Sequence, residues 1–209
     1  MLEIANLSIT SRKEILKNFT YTFTSGNLYG LVAVNGAGKT TFFRSITDLI
    51  PRDSGQINLN KKPISQNKSD IFYFEISEWL DKNVSGKDYL KFVKKAWRSS
   101  KDIEEVISYW DMKEYVNIPI KKYSLGMKQR LLIAMYTVSD ASCLIMDEIT
   151  NGLDEQSRKK LFLQLNTLVK RENKIIIISS HYAEDISAQC DYILSFNNCK
   201  LEVKKNELF

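Results

Sequence analysis

Apolar and polar positions change period several times along the chain, and each change marks an element. Leu2, Ile4 and Leu7 recur in rough alternation, and Phe19-Thr20-Tyr21-Thr22-Phe23 alternates cleanly. Residues 2–24 therefore read as short strands, closed by a turn at Ser25-Gly26. Leu28-Tyr29-Gly30-Leu31-Val32 is a continuous apolar run of strand length, as expected of a buried strand. A helical spacing follows, with Phe42, Phe43, Ile46, Leu49 and Ile50 on one broad face, until Pro51 and Ser54-Gly55 break it. Gln56-Ile57-Asn58-Leu59 and Asp70-Ile71-Phe72-Tyr73-Phe74 read as further strands, with a turn near Asn60-Lys61.

The middle of the chain is helical in period. Ser85 is placed to cap a helix carrying Tyr89, Leu90, Phe92, Val93, Ala96 and Trp97, and Asp102 a second with Ile103, Val106, Ile107 and Trp110. Residues 76–138 thus read as a helical lobe. All three tryptophans lie in it, where core packing accounts for most of the aromatic content. From position 143 strands and helices alternate again. Cys143–Met146 is a short apolar strand, 154–171 a helix with Leu161, Leu165, Leu168 and Val169 on one side, and Lys174–Ile178 a β-branched strand of central, parallel type. A helix over 183–188, a strand at 192–194 and an edge strand at 200–203 complete the pattern. The economical architecture is an α/β layered core with an inserted helical lobe.

Composition narrows this only slightly. The chain has 209 residues, is 44% hydrophobic and 26% charged, and has room for one domain with an inserted lobe. No run approaches the roughly 18 apolar residues of a membrane span, and Met1-Leu2-Glu3-Ile4 lacks the layout of a secretory signal. Three cysteines without CxxC spacing fit a reducing compartment, and a single histidine argues against zinc. The net charge of +5 comes mostly from lysine and reads as solvated surface. No arginine-rich, aromatic-interleaved segment points to nucleic acid, so no such partner is expected.

Four stretches carry candidate chemistry. Ala33-Val34-Asn35-Gly36-Ala37-Gly38-Lys39-Thr40-Thr41 lies between the apolar strand and the next helix. Glycines there let backbone N–H groups turn inward on an anion, and the helix N-terminus adds partial positive charge. Lys39 would reach the outer phosphates and Thr40 would ligate Mg²⁺. Leu144-Ile145-Met146-Asp147-Glu148 ends an apolar strand in two carboxylates, one suited to Mg²⁺ and one to polarising water. Tyr123-Ser124-Leu125-Gly126-Met127 opens a helix and offers a second anion site, and Ser179-Ser180-His181 puts the lone histidine beyond a central strand. Taken singly, each has a plainer reading: a strand-to-helix turn, acids at a strand end, an N-cap, a structural histidine.

Their order resembles the ATPase subunit of ATP-binding cassette (ABC) transporters along essentially the whole chain. Asn35–Thr41 matches that family's Walker A loop, Tyr123–Met127 its signature motif, Leu144–Glu148 its Walker B, Thr150–Asp154 its D-loop region, and Ser179–His181 its switch-histidine loop. The resemblance implies a single P-loop NTPase domain over 1–209. Residues 1–75 and 139–209 would form a mostly parallel α/β core with an antiparallel β part, and 76–138 a helical lobe ending in the signature. It implies ATP and Mg²⁺ as cofactors. Asn35, Gly36, Ala37, Gly38, Lys39, Thr40 and Thr41 would hold the nucleotide, with Thr40, Glu75 and Asp147 at the metal. Glu148 and His181 would be catalytic. Ser124, Gly126 and Met127 would act on the nucleotide of a facing cassette, with Asp154 communicating across that dimer.

The implied function is to power a separate integral membrane permease from the inner face of the cell membrane, with Trp79 as a contact. The Met-Lys-Gln-Arg form of the signature is similar to that of exporters and self-immunity systems; the alternative is a soluble, non-transport cassette ATPase. Four positions depart from the family pattern: Ala33 for Gly, Leu125 in the signature, Ile149 where Pro is common, and no aromatic around Ile9-Thr10-Ser11 to stack on adenine. The last predicts looser discrimination between bases.

Overall fold

The computed structural model describes every residue except Asn35, Ile76 and Phe209. In chain order it places β1 (Leu2–Thr10), β2 (Glu14–Phe23), β3 (Asn27–Val32), α1 (Lys39–Ile46), β4 (Ser54–Leu59), β5 (Lys62–Pro63) and β6 (Ile71–Tyr73). These are followed by α2 (Gly86–Trp97), α3 (Ile103–Tyr109), α4 (Leu125–Ser139), β7 (Cys143–Met146), α5 (Glu155–Glu172), β8 (Ile175–Ser179), α6 (Ala183–Gln189), β9 (Tyr192–Asn197) and β10 (Lys200–Lys205).

Two sheets form. The order β2-β1-β4-β5 is antiparallel throughout. The order β10-β9-β3-β8-β7-β6 is parallel except for β10, which pairs antiparallel at the edge. Parallel strands need cover on both faces, which is why Ile175–Ser179 is buried at every position. One apolar layer lies between the sheets, where Phe19, Phe23, Tyr29, Phe42 and Phe43 meet Ile145 and Ile177. A second lies between the parallel sheet and α2–α5. Each fully buried large side chain here stabilises the fold by about 1.5–3 kcal/mol.

The capping predictions hold. Ser85 and Asp102 cap α2 and α3, accepting from the backbone N–H of Asp88 and Glu104. The stretch 76–138 carries α2, α3 and most of α4, and α4 is buried nearly throughout from Leu131 onward. Trp110 is buried, and Trp97 donates to the Ile71 carbonyl at 3.1 Å. Trp79 is 48% exposed.

Several boundaries differ from expectation. The helix after the phosphate loop ends at Ile46, so Leu49 and Ile50 are not on its face, and Leu49 is half exposed. The Thr47 hydroxyl donates to the Phe43 carbonyl, and Asp48 takes φ +59°, which turns the chain out of the helix. β2 begins five residues before its alternating part, and β5 gave no sequence signal. The last two strands run longer than expected because they pair with each other residue for residue.

The β3, β6, β7 and β8 strands are parallel, so their carboxyl ends share one edge of the sheet. The phosphate loop, Glu75, the Asp147–Glu148 pair and His181 all follow those ends. Sites in open α/β sheets form at this edge.

Candidate functional site

The loop after β3 turns on Gly36 at φ +76° and Gly38 at φ +104°. Gly38 is fixed twice over, because a Cβ there would lie 2.3 Å from the Ile15 Cγ2. Gly38 stands at the N-cap of α1 without a side-chain cap. The first N–H groups of α1 therefore have no internal acceptor, which suits them to an anion. Lys39 is buried, and its Nζ donates to the Ala33 carbonyl at 3.1 Å and lies 3.9 Å from Glu148 Oε1. Ala37 and Thr41 flank these groups. Asn35, assigned to the same loop, lies outside the described residues.

At the end of β7, Asp147 is held from two sides. Thr40 Oγ1 donates to its Oδ2 at 2.5 Å and Ser179 Oγ to its Oδ1 at 2.6 Å. Burial pushes the Asp147 carboxyl above its ordinary value, and the Glu148 charge adds to this; the two hydroxyls and Lys39 oppose it. Glu148 adopts φ +48°, uncommon for a residue with a side chain, and its N–H donates to Ser179 Oγ at 2.9 Å. Its Oε1 lies 3.1 Å from His181 Nε2, and its Oε2 accepts from Asn151 Nδ2 at 3.0 Å. The strained backbone aims the carboxylate across the phosphate loop.

Thr40 and Asp147 together offer a hard, oxygen-only site. That suits Mg²⁺, which keeps most of its waters and takes one or two protein oxygens. Among the described residues, no cluster of three or more His, Cys, Asp or Glu side chains is arranged to cage a metal. Glu75 lies in the same cleft as Thr40 and Asp147, a space of about 320 Å³. Both of its oxygens, however, are engaged by Arg44, at 2.5 and 2.6 Å. The structure therefore brings Glu75 close to the expected metal partners but onto a different cation.

The signature residues form a second group. Ser124 caps α4 by accepting from the Met127 N–H at 3.2 Å. Gly126 packs on the Gly152 carbonyl, which would lie 3.4 Å from a Cβ. Asp154 caps α5 through the Ser157 N–H at 2.7 Å, and these bonds hold its carboxyl below the ordinary range. Arg130 lies 3.8 Å from Asp154. A larger cleft of about 650 Å³ runs from Ser11–Lys13 and Ile15 along Gly36–Thr41 to Glu148 and His181. Ser124, Gly126 and Met127 do not line it.

Three residues within the quoted motifs contribute without having been assigned a role. Gln129 is buried and donates to the Ile149 carbonyl, which ties α4 to the turn after Glu148. Thr150 and Ser180 hydroxyls meet at 2.7 Å and join the D-loop region to the histidine loop. The Met-Lys-Gln-Arg stretch included Gln129, but its contact with a carbonyl 20 positions away could not be read from it.

A phosphate loop between a parallel strand and a helix, facing a metal-competent carboxylate and a poised second one, defines a P-loop nucleoside triphosphatase. The family model described as "ABC transporter" matches residues 16–151. The uncharacterized ABC transporter ATP-binding protein YybJ of Bacillus subtilis (strain 168) is 34% identical over 100% of this chain and 98% of its own length. The lantibiotic transport ATP-binding protein SrtF of Streptococcus pyogenes is 33% identical over 92% of this chain and 85% of its own. A solved dimeric bacterial ABC transporter cassette shares the fold, with a TM-score of 0.87 at 16% identity over 100% of both chains. The chain belongs to the ABC transporter family, among its ATP-binding proteins, and is an ATPase.

Proposed function

We propose that this chain is the energy-coupling subunit of an ABC exporter or self-immunity system, hydrolysing Mg²⁺-ATP to drive a separate integral membrane permease. Among the described residues no helix is long and apolar enough to cross a membrane, so the chain would attach to the inner face of the membrane through that permease. The half-exposed Trp79, edge-on to Phe74, would lie at the contact. The name of SrtF, a lantibiotic transport ATP-binding protein, supports a transport role, and nucleic acid has no part in this reading.

In this reading Gly36–Thr41, with Asn35, bind the triphosphate, Thr40 and Asp147 hold Mg²⁺, Glu148 takes a proton from the attacking water, and His181 contacts the γ-phosphate. Mg²⁺ would offset charge building on the phosphate oxygens. Glu148 as it stands is engaged by His181 and Asn151 and lies near Lys39. A γ-phosphate drawing Lys39 and His181 to itself would release the carboxylate toward water.

One observation carries the pairing of cassettes. The chain holds two helix starts suited to an anion, and Ser124, Gly126 and Met127 do not line the chain's own phosphate-loop cleft, although Leu125 borders the adjoining one with Thr40 and Asp147. Two cassettes set head to tail would bring each Ser124 and Gly126 onto the nucleotide of the other, with Asp154 at the seam. The exposed Val34 and Leu125 supply apolar surface for that contact. The test is the mass in solution of Glu148→Gln with ATP in the absence of Mg²⁺. A monomer that becomes a dimer on adding ATP is expected. A chain that binds ATP yet stays monomeric would refute self-pairing and direct the search to a different second cassette. For the permease, a tagged chain extracted from detergent-solubilised membranes should retain an integral membrane protein; retention of ribosomes instead would favour the non-transport reading.

A further inference from the structure

Helix α1 presents two polar residues from one face to the sheet edge. Thr40 and Arg44 are four positions apart, so they lie one above the other. Thr40 reaches Asp147 at the end of β7, and Arg44 reaches Glu75 just past the end of β6. The Arg44–Glu75 contact is bidentate, with Nε to Oε2 at 2.5 Å and Nη2 to Oε1 at 2.6 Å, and the Tyr73 hydroxyl donates to Oε2 at 3.1 Å. Glu75 is 7% exposed. A buried carboxylate with both oxygens engaged by a planar guanidinium is held in one orientation, which a lysine point charge would not impose.

The surroundings say what this orientation does. The cleft that holds Glu75 also holds Thr40, Glu78, Asp147 and Glu148. A carboxylate in that company is an attractive ligand for any divalent cation brought in with a nucleotide. It is also a source of repulsion toward Asp147 when no cation is present. Arg44 cancels both effects at once.

We propose that Arg44 is a positioning residue that withholds Glu75 from the divalent cation, so that Thr40 and Asp147 are the protein's metal ligands and Glu75 serves to tie α1 to the segment leading into the helical region. This rests on the Mg²⁺-ATP reading above and specifies its ligand set. The latch weakens metal binding on purpose: an extra carboxylate on the ion would hold it, and the product nucleotide with it, more tightly after hydrolysis.

The test is equilibrium binding of Mn²⁺ to the full chain saturated with a non-hydrolysable ATP analogue, read from the free Mn²⁺ signal in electron paramagnetic resonance. Analogue binding without metal is measured first. Arg44→Met frees Glu75 and is expected to tighten Mn²⁺ binding about tenfold, because a further carboxylate becomes available to the ion and affinity rises with ligand charge. Adding Glu75→Gln to Arg44→Met should return the affinity to near the wild-type value. Arg44→Lys keeps the charge and the fold but cannot make both bonds, and should tighten binding by a smaller factor; it serves where Arg44→Met does not fold. A merely structural role for Arg44 would lower the melting temperature and leave Mn²⁺ affinity unmoved. Unchanged or weaker Mn²⁺ binding in both Arg44 variants, with analogue binding intact, overturns the latch alone. Loss of analogue binding by the wild-type chain would overturn the nucleotide reading and the latch with it.

Discussion

At the scale of single residues, Asp147 shows how the site trades stability for chemistry. It is buried at the end of β7 between the Thr40 and Ser179 hydroxyls, and its carboxyl is raised above the ordinary value chiefly by burial. A carboxyl whose folded pKa lies above its unfolded value helps the fold only while protonated. That contribution is present at low pH, is lost as pH rises through the folded pKa, and turns into a cost at neutral pH. A bound cation would remove the cost, and in the metal-free protein it persists. Asp147→Asn keeps the shape, and its amide can still meet both hydroxyls. It should therefore raise the melting temperature of the metal-free, nucleotide-free chain at pH 7 by about 2–4 °C, roughly 1 kcal/mol for a chain of this size. The gain should shrink as the pH is lowered. A lower melting temperature would show that the charge-assisted hydrogen bonds outweigh burial.

At the scale of elements, the sequence spoke clearly where period and packing agree. The run Leu28–Val32 and the β-branched Lys174–Ile178 announce buried strands because both faces of a parallel sheet must be covered. The caps Ser85, Asp102, Ser124 and Asp154 are short-range and do what their types predict. What could not be read depends on pairs far apart in the chain. The end of α1 is set by the left-handed Asp48, which a face of Leu49 and Ile50 conceals. The partner of Glu75 is Arg44, 31 positions away, and the partner of Gln129 is a backbone carbonyl 20 positions away. Gly30 is another such case. In sequence it is a small residue inside an apolar strand, and in the structure it is where α6 sits down on β3. A Cβ at Gly30 would lie 2.3 Å from Ile186 Cγ2 and 2.8 Å from Cys190 Sγ. Gly30→Ala should cost about 1–3 kcal/mol by overpacking, read from the denaturant midpoint. Ile186→Ala, which removes the Cγ2 methyl, should cost less in the Gly30→Ala chain than in the unaltered one, a non-additive result expected only if the two positions touch. Additive losses would mean that α6 simply moves away.

At the scale of the whole molecule, the phosphate end of the site and the base end are built to different standards. The phosphate end is overdetermined: Gly38 admits no side chain, Lys39 is buried, and Thr40, Asp147, Ser179 and Glu148 form one continuous hydrogen-bonded row. All of that is suited to a triphosphate, which ATP and GTP share. A triphosphate seated there leaves the base toward the far end of the cleft, where Ser11, Arg12, Lys13 and Ile15 line the wall at the β1–β2 turn. No Phe, Tyr or Trp among the described residues lines that cleft. Telling a 6-amino from a 6-oxo purine requires a donor or acceptor fixed against that edge. The exposed Arg12 guanidinium instead offers a planar face suited to any base, and stacking of that kind is tolerant of base identity. ATP and GTP should therefore be hydrolysed with kcat/KM values within about tenfold of each other, a gap of about 1.4 kcal/mol or less in transition-state binding. Steady-state phosphate release on the two nucleotides measures this directly. Installing an aromatic ring at the turn by Arg12→Tyr should lower KM for both nucleotides and leave kcat alone, because stacking binds ground state and transition state equally. A preference for ATP beyond about a hundredfold in the unaltered chain would mean that some other group grips the purine edge, and that this end of the cleft is closed over by more than the β1–β2 turn.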